Sequence, residues 1–150
     1  MAEKKPQNLE NHTKLDPAFH MFLIPGALLL FAGAVYNAYQ NGFQGAQGLR
    51  SAEFLLASVW AIVALFKIRL YALKVQDRVI RLEELLRMER LLPEQLKSRV
   101  YEITEQQFIA LRFASDGEIP TLVEKTLAGN LEPKAIKAAI QSWRPDYWRV

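Results

Sequence analysis

The sequence predicts an all-α protein: a two-helix transmembrane hairpin whose second span continues into a cytoplasmic amphipathic helix, then a small bundle of short helices. Three observations predict it. The run Pro17 to Leu49 contains no Asp, Glu, Lys or Arg. A second apolar block extends from Phe54 to Phe66. Beyond Pro93 the chain is divided by Pro, Gly and capping residues into segments too short for anything but single helices.

Composition narrows the chemistry. The 150 residues include no cysteine, which excludes a disulfide scaffold, a thiolate metal site and a cysteine nucleophile. The net charge of +3 is small. Its distribution is uneven: from Lys67 to Arg99 nine Lys or Arg stand against five Asp or Glu, so this one segment carries +4.

Residues 1–15 are polar and lack apolar periodicity, which predicts a mobile tail. Asp16-Pro17 then reads as a helix start, because the carboxylate can accept from unpaired backbone N–H groups and proline at the first helical position loses no hydrogen bond. The hairpin is expected over residues 16–74, with spans at about 18–39 and 53–73. Within the first span, the twenty-one residues Phe19 to Tyr39 make about 32 Å of helix, the thickness of a bilayer's hydrocarbon core. Tyr36, Tyr39, Phe19 and His20 suit the two interfaces. Asn41 to Ser51, rich in Gly and Gln, is a short connection. The second block reaches spanning length only by continuing through Lys67 and Arg69 to Leu73, with its cations at the end where long side chains snorkel to headgroups. Lys67, Arg69, Lys74 and Arg78 are therefore the candidate membrane-interface anchors. Small residues at Gly26, Ala27, Gly33 and Ala34, and at Ala57, Ser58, Ala61 and Ala64, are expected to let the two helices approach closely.

Orientation follows from the cations: they concentrate in the tail and after the second span, placing both termini on the cytoplasmic side. A rival reading takes Ala32-Gly33-Ala34 as a signal-peptidase site that would leave one span. The apolar run continuing past Ala34 and the long, weakly basic leader argue against it.

Residues 75–150 are expected to form a cytoplasmic helical region. From Leu73 to Leu92, apolar residues at Val75, Val79, Leu82 and Leu86 recur at spacings of four and three, a stripe of about three heptads at most that suits pairing with the chain's own end or another subunit better than a free-standing coiled coil. Asp77 with Arg81 and Glu83 with Arg87 are spaced as helix-surface ion pairs. A helix from Pro93 to about Ile103 follows, then one from a Thr104/Gln107 capping box to about Phe113. Another has Pro120 in its first turn and Gly129 as its left-handed stop, and the last runs from Pro133 to Pro145. Phe108, Leu111, Leu122, Val123, Leu127, Ile136, Ile140 and Trp143 are the expected core, and the end WRPDYWRV is aromatic and basic.

Four segments carry a family resemblance: QNLENHTKLDPAFH leading into the first span, KVQDRVIRLEELLR after the second, and TEQQFIALRFASDGEIP and SWRPDYWRV near the end. Over nearly its whole length the chain resembles a family of small bacterial membrane proteins, domain of unknown function family 6526. The resemblance implies two spans and a helical C-terminal portion in a bacterial cytoplasmic membrane. It carries over no activity and no catalytic residue.

Three constellations contain residue types that carry chemistry elsewhere. His12, Asp16 and His20 fall four apart, but a helix beginning at Pro17 leaves His12 outside it, so no metal site is expected. The basic stretch Lys67 to Arg99 is interrupted by acids and has only Tyr71 as an internal aromatic. It suits anionic lipid headgroups and not nucleic acid. Ser115, Asp116, Glu118 and Arg112 lack a nearby histidine base and read as caps and ion pairs. No catalytic residue and no cofactor is therefore expected. The functional expectation is a non-catalytic structural or interaction element at the inner membrane, with an exposed docking surface of Val75, Val79, Leu82, Leu86, Trp143, Tyr147 and Trp148. Its partner would be another copy or another membrane protein. The alternative is an accessory subunit of a larger membrane enzyme or transporter.

Overall fold

In the computed structural model, residues 6–13 and 15–146 are described, and they are all-helical apart from turns and a single bridge pair, Ala114 with Trp143. The chain divides into two units, residues 15–72 and residues 1–14 with 73–150. The long helix α2 contributes to both.

The unit 15–72 opens at Asp16, whose carboxylate accepts the backbone N–H of Phe19 at 3.3 Å, as expected of a helix start. The first turns, Ala18–Leu23, are π-helical, with the Ile24 N–H donating to the Phe19 carbonyl. Pro25 explains the widening: it lacks an N–H and its ring would crowd the carbonyl four residues back in a regular α-helix. Helix α1 (Ile24–Asn41) continues without a break. Gly42, at φ 65° and ψ −159°, turns the chain in a conformation that side chains oppose. Helix α2 (Gly45–Leu91) follows at once. A Cβ at Gly48 would run into the Phe43 backbone, so the connection closes tightly only with glycine there.

On α2, Gly48, Ser51, Leu55, Ser58, Ile62, Leu65 and Arg69 form the covered line, alternating three and four apart; Phe19 in the π-helical turns and Ala34 and Ala38 on α1 are buried. This is the left-handed packing rhythm of antiparallel helices. Of the expected small contacts, Gly26, Ala27, Ala34, Ser58 and Ala64 lie on covered positions, whereas Gly33, Ala57 and Ala61 are exposed. Neighbouring residues on a helix are about 100° apart, so Gly33 and Ala34, or Ala57 and Ser58, cannot share one seam.

The second unit encloses the apolar core. Ile80, Met88 and Leu92 from the α2 end pack in it or beside it. Its body is Val100, Ile103, Phe108, Leu111, Phe113, Ile119, Leu122, Val123, Ile136 and Ile140. After Pro93, α3 is brief (Glu94–Lys97) and a 3₁₀ turn, Val100–Glu102, replaces the expected helix to Ile103. The tighter winding nearly superposes positions three apart, which lets both Val100 and Ile103 reach the core. Helix α4 (Glu105–Leu111) begins at the expected capping box: Gln107 N–H donates to the Thr104 hydroxyl at 3.3 Å and the Gln107 side chain accepts the Thr104 N–H at 2.8 Å. It stops before Phe113 because the following backbone pairs elsewhere, with Ser115 N–H donating to Ser142 O at 3.0 Å and Arg144 N–H to Phe113 O at 2.7 Å.

Helix α5 (Ile119–Gly129) has Pro120 in its first turn, but Asn130, not Gly129, adopts the left-handed stop at φ 43° and ψ 52°. The buried Gln107 amide supplies the reason, donating to Asn130 Oδ1 at 3.2 Å and to the Leu131 carbonyl at 3.0 Å. Helix α6 (Pro133–Ala139) ends well before Pro145, since the N–H groups of Gln141 and Ser142 turn to the Glu118 carboxylate at 3.0 and 3.1 Å.

Pro6 to Thr13 replace the expected mobile tail with specific contacts inside this unit. The Gln7 side chain acts like a strand backbone towards Asp146, accepting its N–H at 2.7 Å and donating to its carbonyl at 3.3 Å. Asn8 Oδ1 accepts the N–H groups of Glu10 and Asn11, each at 3.0 Å, which folds the segment into a turn. His12 then packs against Phe113 and Trp143, with ring centroids 5.6 and 5.7 Å away.

Candidate functional site

The anchors and the docking stripe are the candidate sites, and they acquire different surroundings. Among the anchors, Lys67, Lys74 and Arg78 are exposed. The Lys67 ammonium lies 5.9 Å from the Tyr71 ring centre. Arg69 is drawn inward: its guanidinium is 3.5 Å from the Asp16 carboxylate and 5.4 Å from the centre of the Phe19 ring, which meets Phe66 edge-on at 6.1 Å. At the connection end of the same unit, the buried Ser51 hydroxyl donates to Asn37 Oδ1 at 3.0 Å. Polar ties thus close both ends of an otherwise apolar helix pair.

The surface of this unit is the reverse of a water-soluble one. Leu29, Leu56 and Trp60 are 73, 72 and 72% exposed, while Ser51 and Ser58 are buried. Two helices, Ala18–Asn41 and Gly45–Leu91, are long and apolar enough to cross a membrane. Large side chains outward and small or hydroxyl side chains inward is the pattern that lipid favours.

In the other unit, Val75, Val79, Leu82 and Leu86 are 62, 48, 58 and 61% exposed. They form one line on α2. The opposite line, Ile80, Glu84, Arg87 and Met88, is buried. The apolar stripe is therefore not what closes the helical module; a partly ionic face does that. Arg87 donates to Asp116 Oδ1 at 2.7 Å, Glu84 Oε2 at 3.0 Å and the Ala114 carbonyl at 2.7 Å, and Arg144 reaches Glu84 Oε1 at 3.3 Å. Burial pushes the Glu84 carboxyl above its ordinary range, against the pull of the two arginines. Sequence spacing suggested Glu83 as the partner of Arg87, but Glu83 is exposed and Glu84 takes that place. The only local signal was the i,i+3 spacing of Glu84 and Arg87, which cannot reveal the distant acceptors.

Trp143 is half-buried against Phe113 at 5.3 Å and is taken up by the module's own packing. Tyr147 and Trp148 lie outside the described residues. The histidines have separate local roles. His12 Nδ1 is 2.7 Å from the Leu9 carbonyl and its Nε2 is 3.2 Å from Lys137 Nζ, while His20 Nδ1 is 2.8 Å from the Asp16 carbonyl. Among the described residues no group of three or more His, Asp or Glu is placed to hold a metal ion. Ser115 donates to Glu118 at 3.1 Å, and Arg112 lies 3.2 Å from Asp146. These polar residues join turns to one another. Burial acts to raise the Glu118 carboxyl, but the hydrogen bonds from Ser142, Gln141 and Ser115 together outweigh it and hold the carboxyl below its ordinary value.

No curated protein and no solved structure matches the chain. One family model matches residues 1–150, described as a family of unknown function, DUF6526. With the whole length matched, the chain belongs to the family of unknown function DUF6526.

Proposed function

We propose that this protein is an integral membrane element of a bacterial cytoplasmic membrane, without catalytic activity, that holds a helical interaction module at the inner surface. The observation that carries this reading is the inverted surface of residues 15–72, with Leu29, Leu56 and Trp60 outward and Ser51 and Ser58 inward. Exposing that much contiguous apolar side chain to water is unfavourable, whereas a bilayer offers it a matched solvent. The cation distribution supports cytoplasmic termini, and exposed Lys67 and Lys74 are free to meet anionic headgroups, each juxtamembrane cation contributing on the order of 1 kcal/mol.

Alkaline carbonate extraction of cell membranes tests insertion, and cysteine labelling tests topology in a chain that has no cysteine of its own. The protein is expected to stay in the membrane pellet. A membrane-impermeant maleimide is expected to label Gln44→Cys from outside intact spheroplasts and Ser98→Cys only after lysis. Release into the carbonate supernatant would overturn the membrane reading, and external labelling of Ser98→Cys would overturn the orientation.

A further inference from the structure

We propose that the line Val75, Val79, Leu82 and Leu86 is the seam of a parallel two-stranded coiled coil between two copies of this chain, locked in register by Arg78 of one copy and Glu83 of the other. The inference rests on the membrane reading above, because two copies inserted with the same topology present their α2 helices in parallel.

The four side chains alternate four, three and four apart and all are exposed. In heptad terms Val79 and Leu86 take the a positions, Val75 and Leu82 the d positions. The central pair, Val79 at a followed by Leu82 at d, is the combination that favours two strands, while Leu86 at a and Val75 at d are the reverse order, so the flanking charges carry the choice of partner. Glu89, exposed at the next d position, ends the seam on one side.

The flanking charges select the occupant. Arg78 falls at g and Glu83 at the following e, and in a parallel dimer a g residue faces the e residue five positions later on the other strand. Both are exposed, and neither has an ion pair within the chain among the described residues. They lie on opposite flanks of the stripe, so they cannot reach each other on one helix. Across the two-fold axis they meet twice, in a self-complementary arrangement. An antiparallel pairing about the same centre would instead oppose arginine to arginine. Two heptads are too short to hold free peptides together, but confinement to one bilayer raises the effective concentration that a short seam needs.

The test uses the full chain in native membranes. Single variants Val79→Cys, Leu82→Cys and Leu86→Cys are oxidised mildly, with Glu124→Cys on the exposed side of α5 as the control. Facing seam positions come within about 7 Å, the reach of a disulfide. The three seam variants are expected to form disulfide-linked homodimers and the control none. Arg78→Glu or Glu83→Arg in the Val79→Cys background is expected to slow crosslinking about two- to fivefold, and the double reversal to restore it. Carbonate-resistant protein that gives no seam crosslink, that crosslinks to a different protein, or that is not rescued by the double reversal overturns the coiled coil and leaves the membrane reading standing. Release by carbonate overturns both.

Discussion

The Asp16 carboxylate and the Arg69 guanidinium lie 3.5 Å apart, joining the start of the first apolar helix to the second across fifty-three positions of sequence. The pair is partly buried and the arginine also covers Phe19, so it combines charge with packing. Asp16→Asn is expected to destabilise the hairpin by about 1 kcal/mol, and the reversed pair Asp16→Arg with Arg69→Asp to recover part of that loss. Thermal unfolding in detergent micelles measures it. Equal stability of the wild type and Asp16→Asn would assign closure of this end to Phe19 and Phe66 alone.

Gly48 faces the Phe43 backbone with no room for a methyl group. Gly48→Ala is expected to cost about 1 to 3 kcal/mol, because the connection must shift to admit it. Gly33→Ala, at a position open to its surroundings, is expected to be neutral or slightly stabilising through helix propensity. Comparing the two melting temperatures separates close packing from a general effect of removing glycine.

Arg87 serves three acceptors contributed by Glu84, Asp116 and Ala114. Arg87→Ala leaves buried Glu84 with Arg144 as its ionic partner among the described residues and is expected to cost about 3 to 5 kcal/mol. Hydrogen exchange should then rise throughout residues 100–140 while the hairpin amides stay protected.

The tail contacts depend on two side chains, Gln7 on Asp146 and His12 on Phe113 and Trp143. The double variant Gln7→Ala, His12→Ala is expected to raise exchange of residues 6–13 to that of an open chain. Exchange at Phe108, Leu111 and Ile136, fully enclosed in the core, should hardly change. Unchanged protection of residues 6–13 would show that the turn built by Asn8 holds the segment without these anchors.

Glu118 gives the module an acid-sensitive fastening. Its folded carboxyl sits below the ordinary value of 4.5. Its contribution to stability is therefore present above about 4.5 and is lost as the pH falls through the lower folded value, when protonation weakens its hold on the Gln141 and Ser142 N–H groups. Glu118→Gln is expected to flatten this part of the acid limb in a stability-against-pH curve measured by denaturant unfolding.

Much of this architecture was legible in the chain because it depends on local quantities. The charge-free run from Pro17 specifies one long apolar helix by its length, and the block from Phe54 begins a second that becomes long by continuing through Lys67 and Arg69. The lack of any stop signal between Phe66 and Leu92 predicts one continuous α2, and Thr104 with Gln107 marks its helix start through contacts three residues apart. What remained hidden depends on partners far along the sequence. Periodicity singled out Val75, Val79, Leu82 and Leu86 as an apolar face, but whether the module would cover it was a matter of competition with the opposite face. Arg87 settled that competition by reaching Asp116 and the Ala114 carbonyl. In the same way Gln7 and His12 read as polar tail residues until Asp146, Phe113 and Trp143 are brought beside them. A helix follows from neighbours within one turn, whereas the choice of buried face and the docking of a terminus follow from shape and hydrogen-bond complementarity between segments that meet only in the folded chain.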